Sequence, residues 1–287
     1  MVLITGASGR IARRTAELLA HRGTSLRLMS RNPGYVPKFE GVEIVRGDFK
    51  EPTTLEAAFA GIATAFVISG KALPGQRALM HKNAFEAATR AGVGHVVYLS
   101  LKGASSNSLY PFCRDHHASE QFLAETGLRH TLLRIAFYQD MFIEEFDPHG
   151  VIRGLGGAGR GAFISREDTA WVAAAVVANP PGGALDITGP ELLNVADMAR
   201  RLSAICGAAL RYEEESTAEM CARLGRTGMP DEVRDLKVGW FQAIAAGEQS
   251  PTTDTYRHLT GKDPQSLEAY LSAFPERLGA LRQLGTP

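Results

Sequence analysis

The chain has 287 residues, 45% hydrophobic and 22% charged, the composition of an ordinary globular protein built as one large domain or a domain with a lobe. Thirty-one basic residues balance thirty-one acidic ones, so no global field selects nucleic acid or a membrane surface, and no apolar run is long enough to span a bilayer. Cys113, Cys206 and Cys221 lack metal-ligand spacing and cannot all pair. Together with an N-terminus that reads directly as a strand rather than a signal peptide, they predict a reduced, cytoplasmic setting and no metal site.

The apolar run Val2-Leu3-Ile4 leads into Gly6-Ala7-Ser8-Gly9-Arg10-Ile11-Ala12, and an amphipathic helix follows with Thr15, Leu18 and Leu19 on one stripe and Gly23 as its stop. Strand, glycine turn and helix in this order form the setting that binds a dinucleotide pyrophosphate. Gly6 permits the sharp turn, Gly9 lets backbone approach phosphate oxygens, and Ala12 lets the helix pack close to the strand. The unpaired amides and positive dipole end of the helix face the anion.

Further along, strands are predicted at 26–29, 42–45, 65–68, 96–99 and 131–133, with helices at 52–60, 76–91 and 116–126. This alternation predicts an α/β, Rossmann-type doubly wound parallel sheet with right-handed crossovers, and a ligand beyond the carboxyl ends of its strands. Residues 1–150 would form the nucleotide-binding domain, 151–190 would add return elements, and 191–287 would make a smaller, mostly helical lobe over the ligand. Helices are expected there at 192–204, 217–224 and 231–246, and Ser165 with Asp168 reads as a capped helix start. The run from Gly154 to Gly161 is either a second phosphate cradle or a mobile connection; with no strong apolar strand leading into it, the connection is expected.

Strand two ends in Met29-Ser30-Arg31-Asn32, without the acid that binds ribose hydroxyls in NAD-preferring chains. Arg31 can instead grip a 2′-phosphate through its planar fork, with Ser30 adding a hydrogen bond and Lys38 and Arg13 near in sequence, so NADP is expected over NAD. Asp48 suits the adenine amino group, with Phe49 beside it. Ile68, Ser69 and Gly70 close strand four and complete the expected cofactor set of Gly6, Ala7, Ser8, Gly9, Arg10, Ile11, Arg31 and Asp48.

These stretches, with Ala91-Gly92-Val93-Gly94-His95-Val96-Val97-Tyr98, His116-His117-Ala118-Ser119-Glu120, Gly127-Leu128-Arg129-His130-Thr131-Leu132-Leu133-Arg134 and Phe137-Tyr138, resemble the NmrA-like atypical short-chain dehydrogenase/reductase family. The likeness is greatest to its branch of triphenylmethane reductases and NADPH-dependent quinone oxidoreductases, and reaches Ala246-Gly247-Glu248 and Leu259-Thr260-Gly261 in the lobe. The resemblance implies the fold and an NADP cofactor. It implies either an NADPH-dependent reduction of a conjugated apolar acceptor such as a quinone or dye, or nucleotide sensing without turnover. A ketoreductase or isomerase of specialised metabolism is a third reading.

Typical short-chain dehydrogenases carry Tyr and Lys four residues apart on the helix after strand five; here that helix has no such pair. By spacing from Gly127, His116 stands where related reductases have a lysine or histidine, so it is expected to hold the nicotinamide ribose or to donate a proton, titrating near neutrality. Glu120, one turn on, could orient it. Tyr138 is the second candidate acid, with Tyr110 a weaker one, and Phe137, Tyr138 and Met141 are expected to wall an aromatic substrate. The expected partner is a small molecule bound by a monomer or homodimer.

Overall fold

A computed structural model describes residues 1–70 and 72–284. Seven parallel strands form one sheet in the order β3-β2-β1-β4-β5-β6-β8, comprising β1 (Val2–Ile4), β2 (Leu26–Ser30), β3 (Glu43–Arg46), β4 (Thr64–Val67), β5 (His95–Leu101), β6 (His130–Ile135) and β8 (Gly183–Ile187). The intervening β7 (Val151–Gly154) pairs in parallel with β9 (Arg211–Glu214) in a separate two-stranded sheet. Apolar residues run through the central strands and alternate between two cores, as in a sheet covered on both faces. Val2, Ile4, Phe66, Val97 and Leu99 face one core, while Leu3, Ala65, Val67, Val96 and Tyr98 face the other.

The first core is closed by α1 (Arg10–Ala20) and α6 (Arg166–Ala178), where Ala12, Ala16, Ala173 and Ala174 are small enough for close approach. On the second face lie α2 (Leu55–Phe59), α3 (Gln76–Arg90) and α4 (Pro111–Glu125). The α2 region is a 3-10 turn over Pro52–Thr54 and a short helix rather than one helix, and α4 begins five residues before its predicted start, with Pro111 in its first turn. Proline suits that position because its missing N–H would be unpaired there anyway.

The lobe has its own core around Phe142, Phe163, Trp240 and Phe241. It comprises α5 (Gln139–Glu144), α7 (Val195–Cys206), α8 (Thr217–Arg226) and α9 (Asp231–Ala245) with the small β7–β9 sheet. Ser165 and Asn194 cap α6 and α7, and Ser216 forms a reciprocal capping box with Glu219 at α8. Then α10 (Thr255–Thr260) returns to the first domain, placing Tyr256 in its core, and α11 (Leu267–Ala273) and α12 (Pro275–Arg282) go back to the lobe. The lobe therefore draws on residues before 191, and the chain after 191 serves both bodies.

The glycine-rich run is a packing seam rather than a mobile connection. The strand β7 leads into it, and a Cβ would fall 2.4 Å from the Phe241 ring at Gly154, 2.2 Å from the Ile244 carbonyl at Gly159 and 2.5 Å from the Phe163 ring at Gly161. Among the described residues no helix is long and apolar enough to cross a membrane.

Candidate active site

Strand order reverses between β1 and β4, and a cavity of about 760 Å³ lies beyond the carboxyl ends of those strands. Such a switch point leaves a crevice because the crossovers on its two sides depart in opposite directions. Its floor is fixed by Thr5: the buried hydroxyl accepts the Ile68 amide at 2.9 Å, and the Thr5 amide donates to the Phe66 carbonyl at 3.0 Å. Gly6 turns the chain at φ +63°, a conformation that penalises any side chain. The Gly9 amide then donates to the Gly6 carbonyl at 2.8 Å, and a Cβ on Gly9 would press to 3.2 Å from that oxygen.

At Arg10, α1 begins with Gly9 as a cap that has no side chain to accept the first amides. Those amides lack intrahelical partners by construction. Gly6, Ser8, Gly9, Arg10, Ile11 and Ala12 line this part of the cavity. Ala7 does not: it is buried in the core, and its amide is taken by the Met29 carbonyl at 3.0 Å, which holds the turn against β2.

Ser30, Arg31, Gly47, Asp48 and Phe49 line the end near β2 and β3. Arg31 is exposed and, among the described residues, has no ion pair or hydrogen bond, whereas Arg10, Arg13 and Arg14 are each engaged by a glutamate. Ser30 is tied to the backbone of Asn32, accepting its amide at 3.2 Å. Asp48 accepts the Lys50 amide at 2.9 Å on one carboxylate oxygen, which orients the group. Gly47 passes so close to β2 that a Cβ would lie 2.4 Å from the Met29 sulfur.

Ile68, Ser69, Gly70 and Met80 line the opposite end, where the buried Ser69 hydroxyl has no partner among the described residues. An orphaned hydroxyl, a glycine cradle that a Cβ would fill and an uncapped helix start fit a phosphate- and hydroxyl-rich ligand. Glu144 and Arg166 complete the wall, and sequence reasoning missed both. Glu144 accepts from Arg10 at 3.0 Å, Arg277 at 3.3 Å and Arg166 at 3.4 Å, closing the crevice from the lobe side. Burial alone would raise its carboxyl pKa, but Arg166 and Arg10 outweigh that and hold it below the usual range.

His116 does not line this cavity. It is 3% exposed, and its Nδ1 lies 2.7 Å from the Tyr98 hydroxyl, which lies 3.0 Å from His81 Nδ1. Ser119 donates to the Asp115 carbonyl at 2.7 Å and also lies 2.8 Å from that His81 nitrogen, so one ring nitrogen of each histidine is engaged inside the cluster. Burial pushes the His116 pKa well below its ordinary value, with the neighbouring His81 and Arg77 adding to the shift. His116 is thus a neutral, positioned imidazole, not an acid titrating near neutrality.

Glu120 does not orient His116 either. Buried at 3% exposure, it accepts Ser100 Oγ at 2.6 Å and the Arg134 fork at 2.9 and 2.6 Å, pinning α4 to the ends of β5 and β6. Breaking one side of a buried pair leaves the other side desolvated and unpaired. Glu120→Ala is therefore expected to lower stability by about 3 kcal/mol. Denaturant unfolding read by circular dichroism checks this; a loss below about 1 kcal/mol would mean the pair is solvated.

Phe137 is buried between Tyr110 and Trp240 and is core between domain and lobe, not a cavity wall. Met141, half-buried, packs on the same lobe core. Tyr138 is partly exposed beneath the Arg166 guanidinium, 5.1 Å from its ring centre, and desolvation raises its pKa, so the phenol keeps its proton. Tyr110 is nearly sealed. Cys113 and Cys206 are buried, and burial pushes the Cys113 thiol up to about 12. Among the described residues no cluster of His, Cys, Asp or Glu could hold a metal ion.

A family model described as NAD(P)H-binding matches residues 6–180, which contain the glycine turn and helix of the cradle and the ends of β2, β3 and β4 that line the cavity. The chain belongs to this NAD(P)H-binding family. It is 29% identical to Quinone oxidoreductase 2 of Escherichia coli, over 95% of this chain and 98% of that protein. It is 25% identical to the NAD(P)H azoreductase of Xenophilus azovorans, over 98% of this chain and 100% of the relative. The crystal structure of Citrobacter sp. triphenylmethane reductase complexed with NADP(H) superposes with a TM-score of 0.86 at 25% identity, covering 95% and 99% of the two chains. The expected likeness to the quinone- and dye-reducing NmrA-like branch stands.

Proposed function

We propose that this NAD(P)H-dependent oxidoreductase uses NADPH to reduce a conjugated, apolar acceptor, with quinones the leading class. The observation that carries the cofactor preference is Arg31, an unpaired cation on the cavity wall at a strand end with no acid. A planar guanidinium there matches a 2′-phosphate. Gly9, Arg10 and Ile11 would hold the pyrophosphate through α1, Asp48 and Phe49 the adenine, and Ile68, Ser69 and Gly70 the nicotinamide half. The reduced cofactor supplies the hydride; the protein positions it and excludes water. Tyr138, whose ring lies beneath the cavity-wall residue Arg166, would hydrogen-bond the reduced oxygen as a neutral phenol rather than give up its proton. His116, hydrogen-bonded to Tyr98 behind the cavity, is left out of the reaction. Quinones and cationic dyes need little acid catalysis, which suits a helix without the Tyr–Lys pair. The names of the relatives support the same acceptor class.

Fluorescence titration with NADPH and NADH, followed by menadione and the absorbance of the reduced cofactor, tests the reading. At least about tenfold tighter NADPH binding with turnover is expected. Tight binding without consumption by any quinone, dye or azo compound would favour nucleotide sensing, and absence of binding would sink the cofactor assignment.

A further inference from the structure

Besides Arg31, a second cation near the cavity has no ion-pair partner among the described residues. Arg77 sits in the first turn of α3, three residues before Met80 on the same face, and Met80 lines the cavity. Its guanidinium lies 3.6 Å over the Phe112 ring. Its Nε is buried without a hydrogen-bond partner, and among the described residues no carboxylate pairs with it. Asp115 is near enough for its charge to be felt, but both its oxygens accept the Gly75 amide, at 2.9 and 3.0 Å. A cation at a helix N-terminus also opposes the helix dipole. Desolvation lowers the pKa of Arg77, yet a guanidinium stays charged at neutral pH. The fold thus keeps a charge that is unpaired, partly desolvated and at the wrong end of a helix.

The surroundings suit an aromatic ligand. Phe112 meets Tyr110 edge-on at 5.5 Å, and Tyr98, Tyr110 and Tyr138 all lie within electrostatic reach of Arg77. The residue before Tyr110, Leu109, is 44% exposed, and Leu73 and Leu79, which bracket Arg77 in the chain, are 40% and 60% exposed. The partly exposed guanidinium over the Phe112 ring pairs one fixed positive charge with aromatic surface.

We propose that Arg77 is a substrate-recognition residue that binds an anionic substituent, a carboxylate or sulfonate, carried by the conjugated acceptor. This rests on the reductase reading above, so binding and turnover are measured separately. The probes are 1,4-naphthoquinone-2-sulfonate and uncharged menadione, each titrated into the full chain and each assayed with NADPH. Arg77→Gln is expected to weaken binding and lower kcat/KM for the sulfonate by about 10- to 100-fold while changing menadione less than about threefold. NADPH affinity should be unchanged. Arg77→Lys should recover part of the sulfonate preference, because the charge remains while the fork is lost.

Melting of Arg77→Gln separates this role from a structural one. A recognition charge without a partner costs stability, so Tm should hold or rise. A fall in Tm with equal losses for both quinones would mean that Arg77 only supports Phe112, and would overturn the proposal. So would a collapse of NADPH affinity, or an unaltered response to the sulfonate. If neither quinone is turned over but the sulfonate still binds in an Arg77-dependent way, the reductase reading fails and the anion site stands.

Discussion

Arg31→Asp is expected to invert the cofactor preference, weakening NADPH by about 10- to 150-fold and leaving NADH equal or tighter. A charge-assisted fork to a phosphate contributes about 1.5–3 kcal/mol. The substitution removes that and sets a carboxylate where a 2′-phosphate would repel it and a 2′-hydroxyl would donate to it. Arg31 has no carboxylate partner among the described residues, so the change breaks no internal ion pair and Tm should not move. Because the side chain is exposed at the cavity mouth, the NADPH effect should shrink as salt rises. Arg31→Ala should show the NADPH loss alone. Titration of both nucleotides at low and high ionic strength reads all of this; equal losses for NADPH and NADH would remove Arg31 from 2′-phosphate recognition.

The cradle was legible because local chemistry sets it. Gly6, Gly9 and the first turn of α1 are where they are for backbone reasons that act over a few residues. The same holds for the strand ends at Arg31, Asp48 and Ser69, since a parallel sheet brings all its carboxyl ends to one edge. Spacing puts Ala7 in the cradle because it cannot tell an amide facing the cavity from one spent on Met29.

The far wall was not legible for a different reason. Glu144 lies on α5 and Arg166 opens α6, and their approach to Arg10 depends on how the lobe folds back across more than a hundred residues of sequence. The same non-locality hid β7 and β9, whose pairing joins segments about sixty residues apart with little apolar alternation. His116 is the instructive case. Sequence places it on α4, but the 3.6-residue period cannot say whether a helix residue near a strand end faces the ligand or the layer beneath. Here Tyr98 and His81, each apolar by context, complete a sealed polar cluster that draws it inward.

That cluster predicts how the protein fails on acidification. His81 has its pKa lowered to about 3 and His116 well below its ordinary value, in both cases chiefly by burial. Protonating His81 would bury a charge on a ring whose Nε2 has no partner among the described residues, and protonating His116 would bury a second charge with the two ring centres 5.9 Å apart. Both folded pKa values lie below the unfolded value of about 6.5, so the unfolded chain binds more protons as pH falls through that value. The stabilisation is complete above about pH 6.5 and is lost below it, with a limiting slope of about 1.4 kcal/mol per pH unit for each histidine. The window between about pH 6.5 and 5 lies above the ordinary carboxylate range, so the loss there belongs to histidines; His95, also lowered by burial, adds in the same direction. Tm is expected to drop by about 5 °C or more between about pH 7.5 and 5.5. The double variant His81→Phe/His116→Gln should flatten that dependence even though it starts from a lower Tm. A wild-type Tm that stays level over this range would show that one or both imidazoles are already solvated or charged in the folded state.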